Sequence, residues 1–84
     1  MQITFKLYAT LGDYLPADRR RDNAMALDIA DNTTVSDAIA PFGLPAKLVH
    51  LVLINGHFVP PEQRATRTLV DGDVLAIWPP IAGG

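Results

Sequence analysis

The last six residues, Pro79-Pro80-Ile81-Ala82-Gly83-Gly84, carry no ionisable or nucleophilic side chain, so chemistry there falls to the terminal carboxylate of Gly84. The proline pair favours an extended chain that holds this end away from the body. Ala82, Gly83 and Gly84 are the smallest residues; they thread a narrow channel, and glycine lets a partner's backbone approach closely. Six residues beyond Trp78 reach roughly 20 Å when extended. Such an end suits a carboxylate delivered into another protein's active site. Simple fraying of a chain end produces the same composition, so the tail alone leaves both readings open.

Other reactive constellations are missing from the sequence. It has no cysteine, which excludes disulfides, thiol nucleophiles and cysteine zinc sites. His50 and His57 sit in a strand-like stretch without metal-ligand spacing, and no metal site is expected. Ser36, the only serine, falls in the first turn of a helix, where a capping or solvent-facing role outweighs nucleophilic catalysis. Asp71 and Asp73 flank Gly72 and read as the shape of a turn. No glycine-rich loop precedes a helix with the lysine and hydroxyl of a phosphate site. No catalytic residue is assigned, and the chain is expected not to be an enzyme by itself.

A net charge of −2 and a pI near 5.4 argue against general nucleic-acid binding. The one basic run, Arg19-Arg20-Arg21, lies between Asp18 and Asp22 and reads as a solvated loop or a docking patch. Met1 leads straight into an alternating segment, so no signal peptide is read. No apolar run approaches the roughly 20 residues of a membrane span. The expected location is the cytoplasm, with neither a membrane nor a nucleic acid as partner.

The elements that would position the tail follow from periodicity. Eighty-four residues with 49% hydrophobic composition fit one small folded domain. Ile3, Phe5 and Leu7 alternate with Gln2, Thr4, Lys6 and Tyr8, the pattern of a strand buried on one face. Ala9 to Pro16 reads as a turn with one helical turn in it, and Ala17 to Asn23 as a polar loop. Met25, Leu27 and Ile29 alternate in a second strand, which predicts an antiparallel hairpin with a wide loop. Thr34 is placed to cap a helix, with Asp37 three residues on, and Val35, Ala38, Ile39 and Phe42 recur at helical spacing. Pro41 and Gly43 keep that helix short. Leu44 to Val49 allows one more turn, with Pro45 suited to its start.

His50 to Ile54 is an apolar strand, Asn55-Gly56 a hairpin turn and His57 to Val59 the return strand. Glu62 to Thr68 is polar and loop-like. Asp71-Gly72-Asp73 is a tight turn before the last strand, Val74 to Trp78. The order β-β-α-β-β-β places one helix on one face of a mixed sheet, an α+β fold of the β-grasp type. The first and last strands are the most apolar, which puts them at the side and centre of the sheet. The domain is read as residues 1–78 and the extended tail as 79–84.

Leu69 to Gly84, with its Asp-Gly-Asp turn, apolar strand and Pro-Pro-Ile-Ala-Gly-Gly end, resembles the MoaD/ThiS family of ubiquitin-like sulfur carriers. The likeness covers nearly the whole chain: the opening strand Ile3 to Tyr8, the Thr34-Val35 helix start and the Val52 to Gly56 strand and turn also match. It implies that an E1-like enzyme uses ATP to adenylate the Gly84 carboxylate. A persulfide-bearing partner then supplies sulfur and leaves a thiocarboxylate. The carrier itself binds no cofactor. The proline pair and first strand look most like the small subunit of molybdopterin synthase, which would make a large synthase subunit a further partner. A carrier for thiamine thiazole or another thiolation pathway, and a protein modifier joined to target lysines through Gly84, are the alternatives. Residues 60–67 depart from the family pattern and look like an insertion between the fourth and fifth strands.

Strand alternation also predicts a docking face. With Leu75 and Ile77 inward, Val74, Ala76 and Trp78 face outward, joined by Leu51 and Leu53. An exposed tryptophan at the root of the tail suits an interface anchor.

Overall fold

Phe5 and Leu7 are wholly buried and Ile3 nearly so, and their period of two lays β1 (Gln2–Leu7) against the core on one face. The computed structural model describes residues 1–80. β2 (Ala24–Asp28) returns antiparallel to β1, with Ile3 opposite Leu27 and Phe5 opposite Met25. The Met1 amine donates to the Ile29 carbonyl at 3.0 Å and extends this pairing by one residue. The sheet is completed by β3 (Leu51–Ile54), β4 (His57–Phe58) and β5 (Val74–Trp78), in the order β2-β1-β5-β3-β4. β5 is central: it runs parallel to β1 and antiparallel to β3. A parallel pair needs a long crossover, and the chain between β2 and β5 provides it and carries the helix across one face.

That helix, α1 (Val35–Ile39), is only five residues long. Thr34 starts it with a reciprocal cap: its hydroxyl accepts from the Asp37 amide at 3.1 Å while the Asp37 carboxylate accepts from the Thr34 amide at 3.4 Å. A 3₁₀ turn, Ala40–Phe42, carries the chain to Gly43, whose φ of +66° closes the element. Val35 and Ala38 are buried, and the Phe42 ring lies 4.5 Å from that of Phe5. The helical face expected over Val35, Ala38, Ile39 and Phe42 is thus the one that packs on the sheet.

Some boundaries differ from the sequence reading. Ala9–Tyr14 is a six-residue 3₁₀ helix that sends Leu11 into the core, and Leu15 follows it there. The strand read from His50 begins at Leu51; the His50 amide still donates to the Trp78 carbonyl at 3.2 Å, while its own carbonyl accepts from Arg64. β4 ends at Phe58, and Val59 turns inward to 1% exposure. The segment read as polar and loop-like holds a 3₁₀ turn, Pro61–Gln63, and the buried Arg64. Arg64 is the reason this segment is part of the fold. Its guanidinium donates to the carbonyls of Val59 (3.0 Å), Val49 (3.3 Å) and His50 (3.1 Å). In the other direction, the Arg64 and Arg67 carbonyls accept the Ser36 and Val35 amides, first-turn donors that no helical partner could reach.

Candidate functional site at the root of the tail

The exit of β5 is set by what holds its start. Gly72, at φ +86°, makes the turn that brings the chain into β5. Asp73, 6% exposed, accepts from the Val70 amide with one carboxylate oxygen and from Asn55 Nδ2 with the other, both at 2.9 Å. Asn55 Oδ1 accepts the Val74 amide at 2.9 Å, so the β3–β4 turn is stitched to the start of β5. Asn55 and Gly56 both have positive φ, as the hairpin signal requires. Asp71 accepts the Gln2 amide at 2.8 Å. The two aspartates act as turn builders.

From this clasp β5 runs up the centre of the sheet. Leu75 and Ile77 are wholly buried, so Val74, Ala76 and Trp78 occupy the opposite face. Trp78 pairs with Leu51, and Ala76 with Leu53, which in turn pairs with Phe58. The predicted docking residues therefore share one face. Leu51 is 37% and Phe58 52% exposed, whereas Ala76 is almost covered by its neighbours. The indole is not free, as the sequence reading had it. Trp78 is half-buried because the Tyr8 ring stacks on it, centroids 4.0 Å apart and 5° from parallel. Stacking of this kind fixes the orientation of both rings.

Tyr8 and Phe58 are the members of this face that sequence reasoning did not name. Alternation in β1 already set Tyr8 outward. Phe58 was legible only through the hairpin register, which places it beside Leu53. Arg64 supports the patch from behind: its guanidinium lies 6.0 Å from the Phe58 ring centroid, near enough for cation–π attraction. Burial lowers the Arg64 pKa from its ordinary value, with the Glu62 charge opposing that shift.

Pro79 is buried and Pro80 exposed, so the first proline belongs to the packed body. Ile81, Ala82, Gly83 and Gly84, the remainder of the predicted tail and its attachment point, lie outside the described residues. Among the described residues no cluster of histidine, aspartate and glutamate side chains could hold a metal ion, and no helix is long and apolar enough to cross a membrane. The basic run is exposed. Arg20 donates to the carbonyls of Leu15 (3.1 Å) and Asp13 (3.0 Å), and Arg19 lies 3.9 Å from Asp18.

A five-stranded mixed sheet with one short helix and the chain leaving from its central strand defines a ubiquitin-like β-grasp domain. The chain belongs to the Mut7-C ubiquitin family, whose sequence profile matches residues 1–82. The fold is similar to that of SAMP1 from Haloferax volcanii, with a TM-score of 0.71 and 23% identity over all of both chains. It is also similar to the Haloferax volcanii HVO 2177 protein, with a TM-score of 0.72 and 26% identity over all of this chain and 87% of that one. A third likeness is to a chain in the complex of subunits 1 and 2 of molybdopterin-converting factor from Helicobacter pylori 26695, with a TM-score of 0.62 and 17% identity over all of both chains. Comparison with curated proteins by sequence gives no significant match. The resemblance to the MoaD/ThiS carriers agrees with these neighbours, while the narrower likeness to the molybdopterin synthase small subunit rests on fold alone.

Proposed function

We propose that this chain is a cytoplasmic sulfur carrier whose working group is the Gly84 carboxylate. The observation that carries the reading is the coupling of tail and face. β5 is the central strand, and it delivers the chain at Pro79-Pro80 directly beside the aromatic pair Tyr8–Trp78 and the exposed Leu51. A partner that takes the carboxylate into its active site can grip the body at the same place.

The chemistry then falls to partners. The Gly84 carboxylate attacks the α-phosphorus of ATP on an E1-like enzyme, and pyrophosphate leaves. A persulfide sulfur on a donor protein attacks the resulting acyl-adenylate, and AMP leaves. A second thiol of the donor cleaves the acyl disulfide, releasing the thiocarboxylate as the donor forms its own disulfide. AMP is a far better leaving group than oxide, which is why activation must come first. This chain contributes presentation: a small end without charged side chains, a root braced by the start of β5 and an apolar grip. Molybdopterin is the recipient we favour, with the large subunit of its synthase as a second partner. The likeness to a chain in the Helicobacter pylori complex of subunits 1 and 2 of molybdopterin-converting factor supports this choice.

Intact mass after co-expression with an E1-like enzyme tests the proposal and reads the terminal residue in the same measurement. A sulfur-for-oxygen gain on a chain ending at Gly84 is the expected result. Adducts on other proteins would make the chain a modifier, and no change on a chain ending at Gly84 would remove the carrier reading. Deleting Gly84, or adding residues after it, should abolish loading and leave the thermal melt unchanged.

The grip is tested at Trp78. Replacing it by alanine should weaken partner binding by roughly 2 kcal/mol or more, as loss of an anchor does. Stability of the free domain should fall by about 1 kcal/mol, the worth of an aromatic pair. Leu75→Ala should cost about 2–5 kcal/mol through its cavity. Equal destabilisation by the two substitutions, read in denaturant melts, would assign the indole to the core.

A further inference from the structure

The two edges of the sheet are finished differently. β4 is two residues long and runs into Pro60-Pro61, which cannot extend a ladder. β2 is five residues long, with neither proline nor lysine among them. Its backbone is half used. Asn23 and Ile29 are both bonded to the β1 side, through Leu7 and Met1. Antiparallel ladders alternate, so the odd-numbered residues of β2 face β1, while Ala24, Ala26 and Asp28 direct their amides and carbonyls outward. On the helix side Met25, Leu27 and Ile29 pack against the core yet stay only half-buried.

The charge around β2 is polarised. Arg19, Arg20 and Arg21 precede it, with Asp18 and Asp22 leaving a net of +1, whereas Asp28 and Asp31 at its other end give −2. Arg21 is exposed and has no ion pair among the described residues. Antiparallel pairing of two copies brings the basic end of each to the acidic end of the other, twice over. Parallel pairing would set like charges together.

We infer that β2 is a self-association edge, and that a second copy of this chain pairs with it antiparallel about a twofold axis at Ala26. In this register Ala26 bonds to its own counterpart and Ala24 to Asp28 of the other copy, so every outward amide and carbonyl of β2 finds a partner. Met25 then lies opposite Leu27 of the other copy on the helix side, which closes the half-buried apolar row. On the opposite side Ala26 meets its own counterpart and Ala24 meets Asp28 of the other copy, where small side chains permit close approach. The twofold axis is perpendicular to the sheet, so the Tyr8–Trp78 faces of both copies lie on the same side of one continuous ten-stranded sheet. The dimer thus presents two grips in parallel and obstructs neither.

Sedimentation of the full chain over a concentration series at low and high salt tests this. A monomer–dimer equilibrium that weakens with added salt is expected. Ala26→Pro removes one outward amide that the monomer does not use, and an edge strand tolerates proline there. It should leave the melting temperature in place and weaken the dimer by about tenfold or more. Arg21→Asp and Asp31→Arg should each weaken it, and the double charge swap should restore it. A wild-type chain that stays monomeric throughout overturns the inference, and so does a folded Ala26→Pro dimer of wild-type strength. In the second case Trp78→Ala would show whether the apolar face is the contact instead.

Discussion

Residues 17–23 and 60–67 look alike as sequence: each is polar, follows or begins with proline, and contains more than one arginine. In the fold each uses one arginine to hold main-chain carbonyls, yet the results differ. Arg20 sits exposed at the end of a loop and ties two carbonyls of the preceding turn, five and seven residues away. Arg64 is 9% exposed and ties three carbonyls that belong to different parts of the chain, the approach to β3 and the end of β4. Its own carbonyl caps α1. The first arginine decorates a loop; the second joins the helix, two strands and the back of the apolar face. A polar segment becomes structural when its donors reach carbonyls that no strand or helix can satisfy.

This contrast can be broken by mutation, and the largest effect is expected at Arg64. Alanine there strands three carbonyls in a covered site and should cost about 3 kcal/mol, read as the shift in a urea melt. Lysine should recover less than half, because an ammonium lacks the planar fork that serves three acceptors at once. If Arg64→Ala melts like Arg20→Ala, the distinction between the two segments is wrong.

Next comes Thr34→Ala, expected to cost about 1 kcal/mol through loss of the cap. The Val35 and Ser36 amides keep their partners on the 60–67 segment, so α1 should persist, and combining the substitution with Arg64→Ala should exceed the sum of the two. Strict additivity in that double mutant would mean that the 60–67 segment does not support the helix. The smallest effect belongs to Arg20→Ala, under about 1 kcal/mol, since exposed charged contacts contribute little. Salt should shrink it further.

Much of the architecture was legible one residue at a time. Strand periodicity set the inward faces of β1 and β5, Asn55-Gly56 and Asp71-Gly72-Asp73 marked both turns, and Thr34 marked the helix start. These signals are local, because they depend on alternation, φ and the nearest free amides. The outward placement of Val74, Ala76, Trp78, Leu51 and Leu53 was legible for the same reason, since the pleat has a period of two.

Other features needed the chain to be brought together. Leu11 and Leu15 lie in a segment with no clear period, and only their place under the sheet shows them to be core. Arg64 gave no signal, because a single arginine in a polar run reads as solvated until carbonyls distant in the chain converge on it. The Tyr8–Trp78 stack joins residues seventy positions apart through the parallel β1–β5 pairing, a register that no local pattern encodes. The amino-acid sequence by itself determined the elements and the inward faces, because backbone preference and burial act over a few residues. Only the tertiary structure decided which polar segment is structural, which edge stays open and how the exit of β5 is braced, because those depend on groups that meet only after the crossover has closed.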